Sequence, residues 1–98
     1  MRAAQIWQVL IGNAANRQTI TYAGLGKLVK VTTLPNLAGA LDLIEKFCVA
    51  NNLPPLHLLV VNVSGQPGHA HSATTDADRE RVFSYSWYDL VPPRDTDF

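Results

Sequence analysis

The proline pair Pro54-Pro55, with an almost wholly apolar run behind it, sets the tightest limit on how this chain can fold. Proline has no backbone N–H and its ring clashes with the preceding helical turn, so a helix cannot pass through the pair. The helical pattern upstream must therefore stop at Asn51-Asn52. Beyond the prolines, Leu56 to Val63 is apolar everywhere except His57 and Asn62. A run without polar alternation predicts a strand buried on both faces, or paired in a small sheet beneath helices. Ser64-Gly65-Gln66-Pro67-Gly68 then forces a tight turn or wing.

The segments upstream supply the helices that such a strand needs. Ile6, Val9, Leu10 and Asn13, with Trp7 beside them, recur at helical spacing and predict a first helix over Ala3 to Ala15. Asn13 to Gln18 is a polar break, and Thr19-Ile20-Thr21 reads as a minor strand. Thr21 suits an N-cap for a second helix from Tyr22 to Val29, with Leu25, Leu28 and Val29 as its buried stripe. Gly24 and Gly26 lower its intrinsic helicity and point to close packing. Thr32-Thr33-Leu34-Pro35 forms a turn in which Thr33 can cap a third helix, Pro35 to Ala50. Leu37, Leu41, Ile44 and Cys48 share one face of it, flanked by Ala40 and Phe47.

After a small polar stretch from Gly68 to Thr74, Thr75-Asp76-Ala77-Asp78 fits a helix start, with acids at the positive end of the dipole. The helix continues through Arg79-Glu80-Arg81-Val82-Phe83. Ser84 to Asp89 fits either a strand or a last helical turn. The expected fold is α+β: a small winged helix-turn-helix with three N-terminal helices, a short β-sheet and wing, and a C-terminal helical or extended segment. Residues 1–91 form this domain and 92–98 a tail opened by Pro92-Pro93.

With 98 residues, the chain has room for one domain and a modest core. Its 47% hydrophobic and 16% charged residues fit a globular protein. A single cysteine, Cys48, rules out an internal disulfide framework, and a reduced cytoplasmic setting is the expectation. No leader or membrane-length apolar run stands out. Formal net charge is zero, yet Arg2, Arg17, Lys27 and Lys30 meet no acid in the first thirty residues. The second half is acidic, with Asp76, Asp78, Glu80, Asp89, Asp95 and Asp97. Such asymmetry marks either a nucleic-acid face or ordinary surface charge.

Short motifs carry a family resemblance. Thr21-Tyr22-Ala23-Gly24-Leu25-Gly26 resembles the Thr-Tyr-Gly-x-Leu-Ala segment of O6-alkylguanine alkyltransferases and alkyltransferase-like proteins. Ala38-Gly39-Ala40-Leu41 is similar to the recognition-helix core of that family, and Leu59-Val60-Val61-Asn62-Val63-Ser64-Gly65 to its active-site strand and following turn. The resemblance covers about half the chain and implies a fold, not a reaction. The family's nucleophilic cysteine lies in a Pro-Cys-His-Arg segment, where this chain reads Leu56-His57-Leu58-Leu59, with His57 at the cysteine's place. The arginine that props open the duplex would fall near Pro35 or Asn36. Only Tyr22 matches, standing for the tyrosine that helps turn a nucleotide outward. Leu53-Pro54-Pro55-Leu56, Val60-Val61-Asn62 and Gly65-Gln66-Pro67-Gly68 also resemble small bacterial winged-helix proteins, which imply no activity.

Other candidate sites carry less. His69 and His71 have the spacing of two zinc ligands, but a closed site needs four, so no metal or other cofactor is expected. Cys48 with His57 as base would make a nucleophile, but its place on an apolar stripe reads as a small buried hydrophobe. The expectation is a non-enzymatic protein that binds duplex DNA weakly. Arg17, Lys27 and Lys30 would meet phosphates, and Tyr22, Thr32, Thr33, Asn36, Gly39 and Ala40 would face the nucleic acid. Asp42 and Glu45, expected on the exposed side of the third helix, oppose it. The alternative is a protein partner or a homodimer, met through the aromatic cluster Phe83, Tyr85, Trp87 and Tyr88.

Overall fold

The computed structural model describes residues 3–30, 34–61 and 76–98, and it is a mostly helical α+β domain. Helix α1, Ala3–Ala15, buries Ala3, Ile6, Trp7, Leu10, Ile11 and Ala14, a stripe at the three- and four-residue spacing of one helix face. It stops where Asn16 Nδ2 donates to the Gly12 carbonyl at 3.1 Å and Arg17 turns to a left-handed φ of 54°. Strand β1, Ile20–Thr21, leads directly into helix α2, Tyr22–Val29. Thr21 caps it as predicted: its backbone is extended and its Oγ1 accepts from the Gly24 N–H at 3.1 Å. A Cβ on Gly24 would lie 3.2 Å from Thr21 Oγ1 and 3.4 Å from Ile20 Cγ1, so the missing side chain lets the cap close. Lys30, at φ 57°, ends α2 by donating its N–H to the Gly26 carbonyl.

The predicted stripe of α2 needs one correction. Leu28 is 59% exposed, while Leu25, Gly26 and Val29 are buried. In a two-turn helix those three residues define the inward arc, and Leu28 falls beyond its edge. Helix α3, Leu34–Ala50, buries Leu37, Ala40, Leu41, Ile44 and Cys48. Its end is closed by Asn51 Nδ2 on the Phe47 carbonyl at 2.8 Å, by Asn52 at φ 55°, and by the Leu53 N–H on the Cys48 carbonyl at 2.8 Å.

Burial of the apolar run follows the sequence, but its backbone does not. Residues 56–61 are all buried, yet Leu56–Leu59 is a 3-10 turn and only Val60–Val61 forms a strand, β2. β2 pairs with β1 in parallel, Ile20 opposite Val60 and Thr21 opposite Val61. The physical reason is the register: Leu56–Leu59 would lie opposite residues 16–19, where the chain is still turning out of α1 with Arg17 left-handed, so the ladder has no extended partner there. The Pro55 carbonyl accepts from the Leu58 N–H at 3.1 Å and holds the turn instead. A parallel pair needs a long crossover, and α2 with α3 provides it. Asn62, Val63, the wing at 64–68, His69, His71, Thr32, Thr33 and the capping threonines at 74–75 lie outside the described residues.

Helix α4, Asp76–Ser84, is followed by a bend at Tyr85 and a 3-10 turn, Trp87–Asp89, instead of a strand or a further helical turn. Trp87 sets this path. Its indole N–H donates to the Val82 carbonyl at 2.7 Å, and its ring meets Trp7 edge-on at 5.6 Å. The segment expected as a tail returns to the core. Pro93 is buried, the Asp97 carboxylate accepts from the Arg94 N–H at 2.7 Å, and Phe98 lies 5.1 Å from Phe47 and 5.9 Å from Trp7.

The Thr21 cap joins β1 to α2 and so fixes both the sheet and the helix pair. Thr21→Ala is expected to cost about 1 kcal/mol and to lower the melting temperature by about 4–8 °C, with Thr21→Ser recovering most of it. Circular dichroism melts of the two variants check this, and an unchanged Thr21→Ala melt would remove the cap from the account.

Candidate nucleic-acid interface

Helices α2 and α3 position the residues that the sequence singles out. Tyr22, the first residue of α2, is half-buried, and burial raises its phenol above the usual tyrosine pKa, so the hydroxyl stays neutral and can donate. Lys27 lies on the outer side of α2 and Lys30 at its left-handed end, both exposed. Asn36 is exposed in the first turn of α3. Gly39 is half-buried beyond it, whereas Ala40 is 1% exposed and cannot face a ligand. Ala40 completes the inward stripe with Leu37, Leu41 and Ile44, because positions three and four apart share a helix face. Lys46 continues the exposed side further along α3.

The acids on α3 stand differently from the expectation. Asp42 and Glu45 are both half-buried, not fully on the exposed side. Glu45 reaches inward, its Oε2 3.6 Å from Nε2 of the buried His57. That contact draws one carboxylate away from the outer surface. No local motif announces it, since the partners lie on opposite sides of the Pro54-Pro55 break.

The basic side chains divide into two groups. Arg17 pairs with Glu80, Arg81 lies 3.9 Å from Asp78, and Arg94 lies 3.7 Å from Asp97. Arg17 also sits over the Phe83 ring, with Cζ 5.1 Å from its centroid. Among the described residues, by contrast, Lys27, Lys30 and Lys46 have no carboxylate partner, and neither does Arg79 on α4. Arg17 thus leaves the set of free cations that the sequence assigned to phosphates. Its partner lies 63 residues away, beyond the reach of any sequence pattern used above.

The aromatic cluster of the alternative is mostly core. Trp87 is 3% exposed, and Phe83 and Tyr85 are half-buried against the same cluster, with Tyr85 4.7 Å from Trp87. Tyr88 is the exposed member, at 69%. Val91 is 90% exposed and borders an open groove between α3 and the C-terminal segment, floored by Phe47, Ala50, Pro93 and Phe98, with Lys46 beside it.

His57 and Cys48 lie inside the protein. His57 occupies the 3-10 turn that replaces the expected strand. Cys48 is 2% exposed, and its thiol is pushed up to about 11, chiefly by burial and further by the Glu45 charge, against a lowering hydrogen bond with the Leu56 backbone. A thiol so placed stays protonated at neutral pH, as a buried apolar side chain. Among the described residues no cluster of three or more metal-ligating side chains is formed, and no helix is long and apolar enough to cross a membrane. In comparisons with known proteins, no family model, curated protein or solved structure matches this chain.

The buried thiol makes a pH prediction whose sign is fixed. An unfolded thiol ionises near 9 and the native one near 11, so between those values the unfolded state sheds a proton that the native state keeps. Stability is therefore intact below about pH 9 and falls by roughly 2–3 kcal/mol as pH rises toward 11. Denaturant titrations of the wild type and Cys48→Ala across that range check it. The difference between the two curves should narrow with rising pH, and parallel curves would contradict the assignment.

Proposed function

We propose that this chain is a non-enzymatic DNA-binding protein of winged-helix type, which engages duplex DNA weakly through α2 and α3. One observation carries the reading: on α2 and α3 the ammonium groups of Lys27, Lys30 and Lys46 have no acidic partner among the described residues, while Arg17, Arg81 and Arg94 each do. Cations without an acidic partner are available to phosphates, and such contacts gain by releasing condensed counterions. Asn36 adds an amide in the first turn of α3, the position from which helix-turn-helix proteins meet base edges. Tyr22 adds a hydroxyl at the start of α2. The resemblance of Thr21-Tyr22-Ala23-Gly24-Leu25-Gly26 to alkyltransferase-like proteins supports the same face. His57 at the cysteine's place supports binding without repair chemistry.

With three such cations the affinity should fall steeply with salt, its logarithm changing with a slope of about −2 to −3 against log salt. A mobility-shift series on a generic duplex at low salt measures it. The double variant Lys27→Gln, Lys30→Gln should reduce the slope by about 2. Absence of any shift for the wild type at low salt would end this reading.

A second reading, contact with a protein partner or a second copy of the chain, is favoured by the exposed Val49 and Val91, 73% and 90% accessible, and by the groove beside Val91. It moves the contact from Phe83, Tyr85 and Trp87 to the end of α3 and the residues after Leu90. Its simplest form is self-association, which sedimentation equilibrium of wild type and Val91→Asp tests. Concentration-dependent mass lost in the variant supports it, and a monomer at all concentrations refutes it.

A further inference from the structure

Arg17 stands apart from the other basic residues near the proposed interface. It lies just before β1, which leads directly to Tyr22 and α2. The chain there is held by the Arg17 N–H on the Ala14 carbonyl at 3.1 Å and the Gln18 N–H on the Asn13 carbonyl at 2.9 Å. Its guanidinium donates to one oxygen of Glu80, and the other oxygen of Glu80 accepts from the Ser84 hydroxyl at 3.2 Å. The Phe83 ring lies beneath the guanidinium. The Arg17 and Glu80 side chains are 56% and 55% exposed, so solvent reaches the pair.

We propose that Glu80 is an internal stand-in for a nucleic-acid phosphate: it covers Arg17 in the free protein and yields to a backbone phosphate when duplex binds. The inference rests on the duplex-binding reading above and adds regulation through a cation at the segment that leads into β1 and α2. A guanidinium fork accepts a carboxylate or a phosphate with closely similar geometry, so one anion can replace the other. The Phe83 ring keeps the guanidinium placed after the carboxylate leaves. Protonation offers Glu80 no other release, because the Arg17 hydrogen bond, assisted by Ser84, holds its carboxyl below the usual carboxylate range. An exposed ion pair contributes little to folding, so exchanging its anion leaves the fold intact. The consequence is a protein whose duplex affinity is set below what its cations would otherwise allow.

The test is fluorescence anisotropy with a short fluorescein-labelled duplex of mixed sequence, over a salt series. Wild type, Glu80→Gln, Arg17→Gln and the double variant are compared, with Asp89→Asn as a control that removes one acid without touching Arg17. Circular dichroism confirms that each variant is folded. Glu80→Gln should bind about three- to tenfold tighter than wild type at low salt and steepen the salt slope by about 0.9, the value for one more phosphate contact. The gain should vanish in the Arg17→Gln background and exceed that of Asp89→Asn. A gain that persists without Arg17, or that Asp89→Asn matches, overturns the masking while leaving duplex binding in place. No binding by any variant at low salt overturns the duplex-binding reading itself, and the inference with it.

Discussion

The Trp7 indole is the contact on which the rest of the structure depends. It meets Phe47 edge-on at 5.3 Å, Trp87 edge-on at 5.6 Å and Phe98 at 5.9 Å, so one side chain on α1 gathers α3, the turn after α4 and the C-terminal segment. Edge-to-face rings gain from their quadrupoles beyond the area they bury. A buried tryptophan of this kind is worth about 3–5 kcal/mol on truncation, a large part of the roughly 5–15 kcal/mol that holds a small domain together. With α1 so anchored, the 3-10 turn at Leu56–Leu59 packs against both α1 and α3. The two-residue sheet then joins the middle of the chain to the start of α2. The orientation of α2 and α3, and with it the placement of Lys27, Lys30 and Asn36, follows from this internal arrangement.

Charge is ordered along the same lines. Formal net charge is zero, yet the described ion pairs concentrate the neutralisation on arginines, in pairs whose acidic members lie on or after α4. Guanidinium forks favour such pairing, whereas ammonium groups keep their hydration and stay in solvent. Zero net charge therefore coexists with three lysines on or next to α2 and α3 that meet no carboxylate among the described residues. Long-range attraction to a polyanion is weak at zero net charge, so any such binding must come from short-range contact.

Much of the helical framework was legible because its signals are local. The stripe Ile6, Trp7, Leu10 gives α1, the Thr21 cap gives the start of α2, and Leu37, Leu41, Ile44, Cys48 with the Pro54-Pro55 stop give α3. The backbone of Leu56–Leu59 was not legible, since burial on all sides produces the same apolar run in a strand or a 3-10 turn. Its conformation was decided by where β1 begins, forty residues earlier in the chain. The aromatic segment misled for a related reason. Composition identifies Trp87 as large and apolar, but only the Val82 carbonyl and the Trp7 ring place it inward. Among the candidate residues, the exposure of Lys27, Lys30 and Asn36 was legible from helical phase, while the fate of Arg17 depended on a contact with α4 that no spacing encodes.

The centre of the molecule gives the clearest separation of fold from chemistry. His57 stands where the resembled family keeps its nucleophile, and the surrounding turn buries it to 2% exposure. A nucleophile there must meet an extruded base, which requires an open pocket beside it. Here Leu56, Leu58 and Leu59 fill the same turn, and the three are buried with His57. Glu45 lies against the imidazole, from a helix whose outer surface the proposal assigns to the duplex. The buried histidine thus meets an acid of α3 from inside the fold, in the place where the resembled family keeps its chemistry.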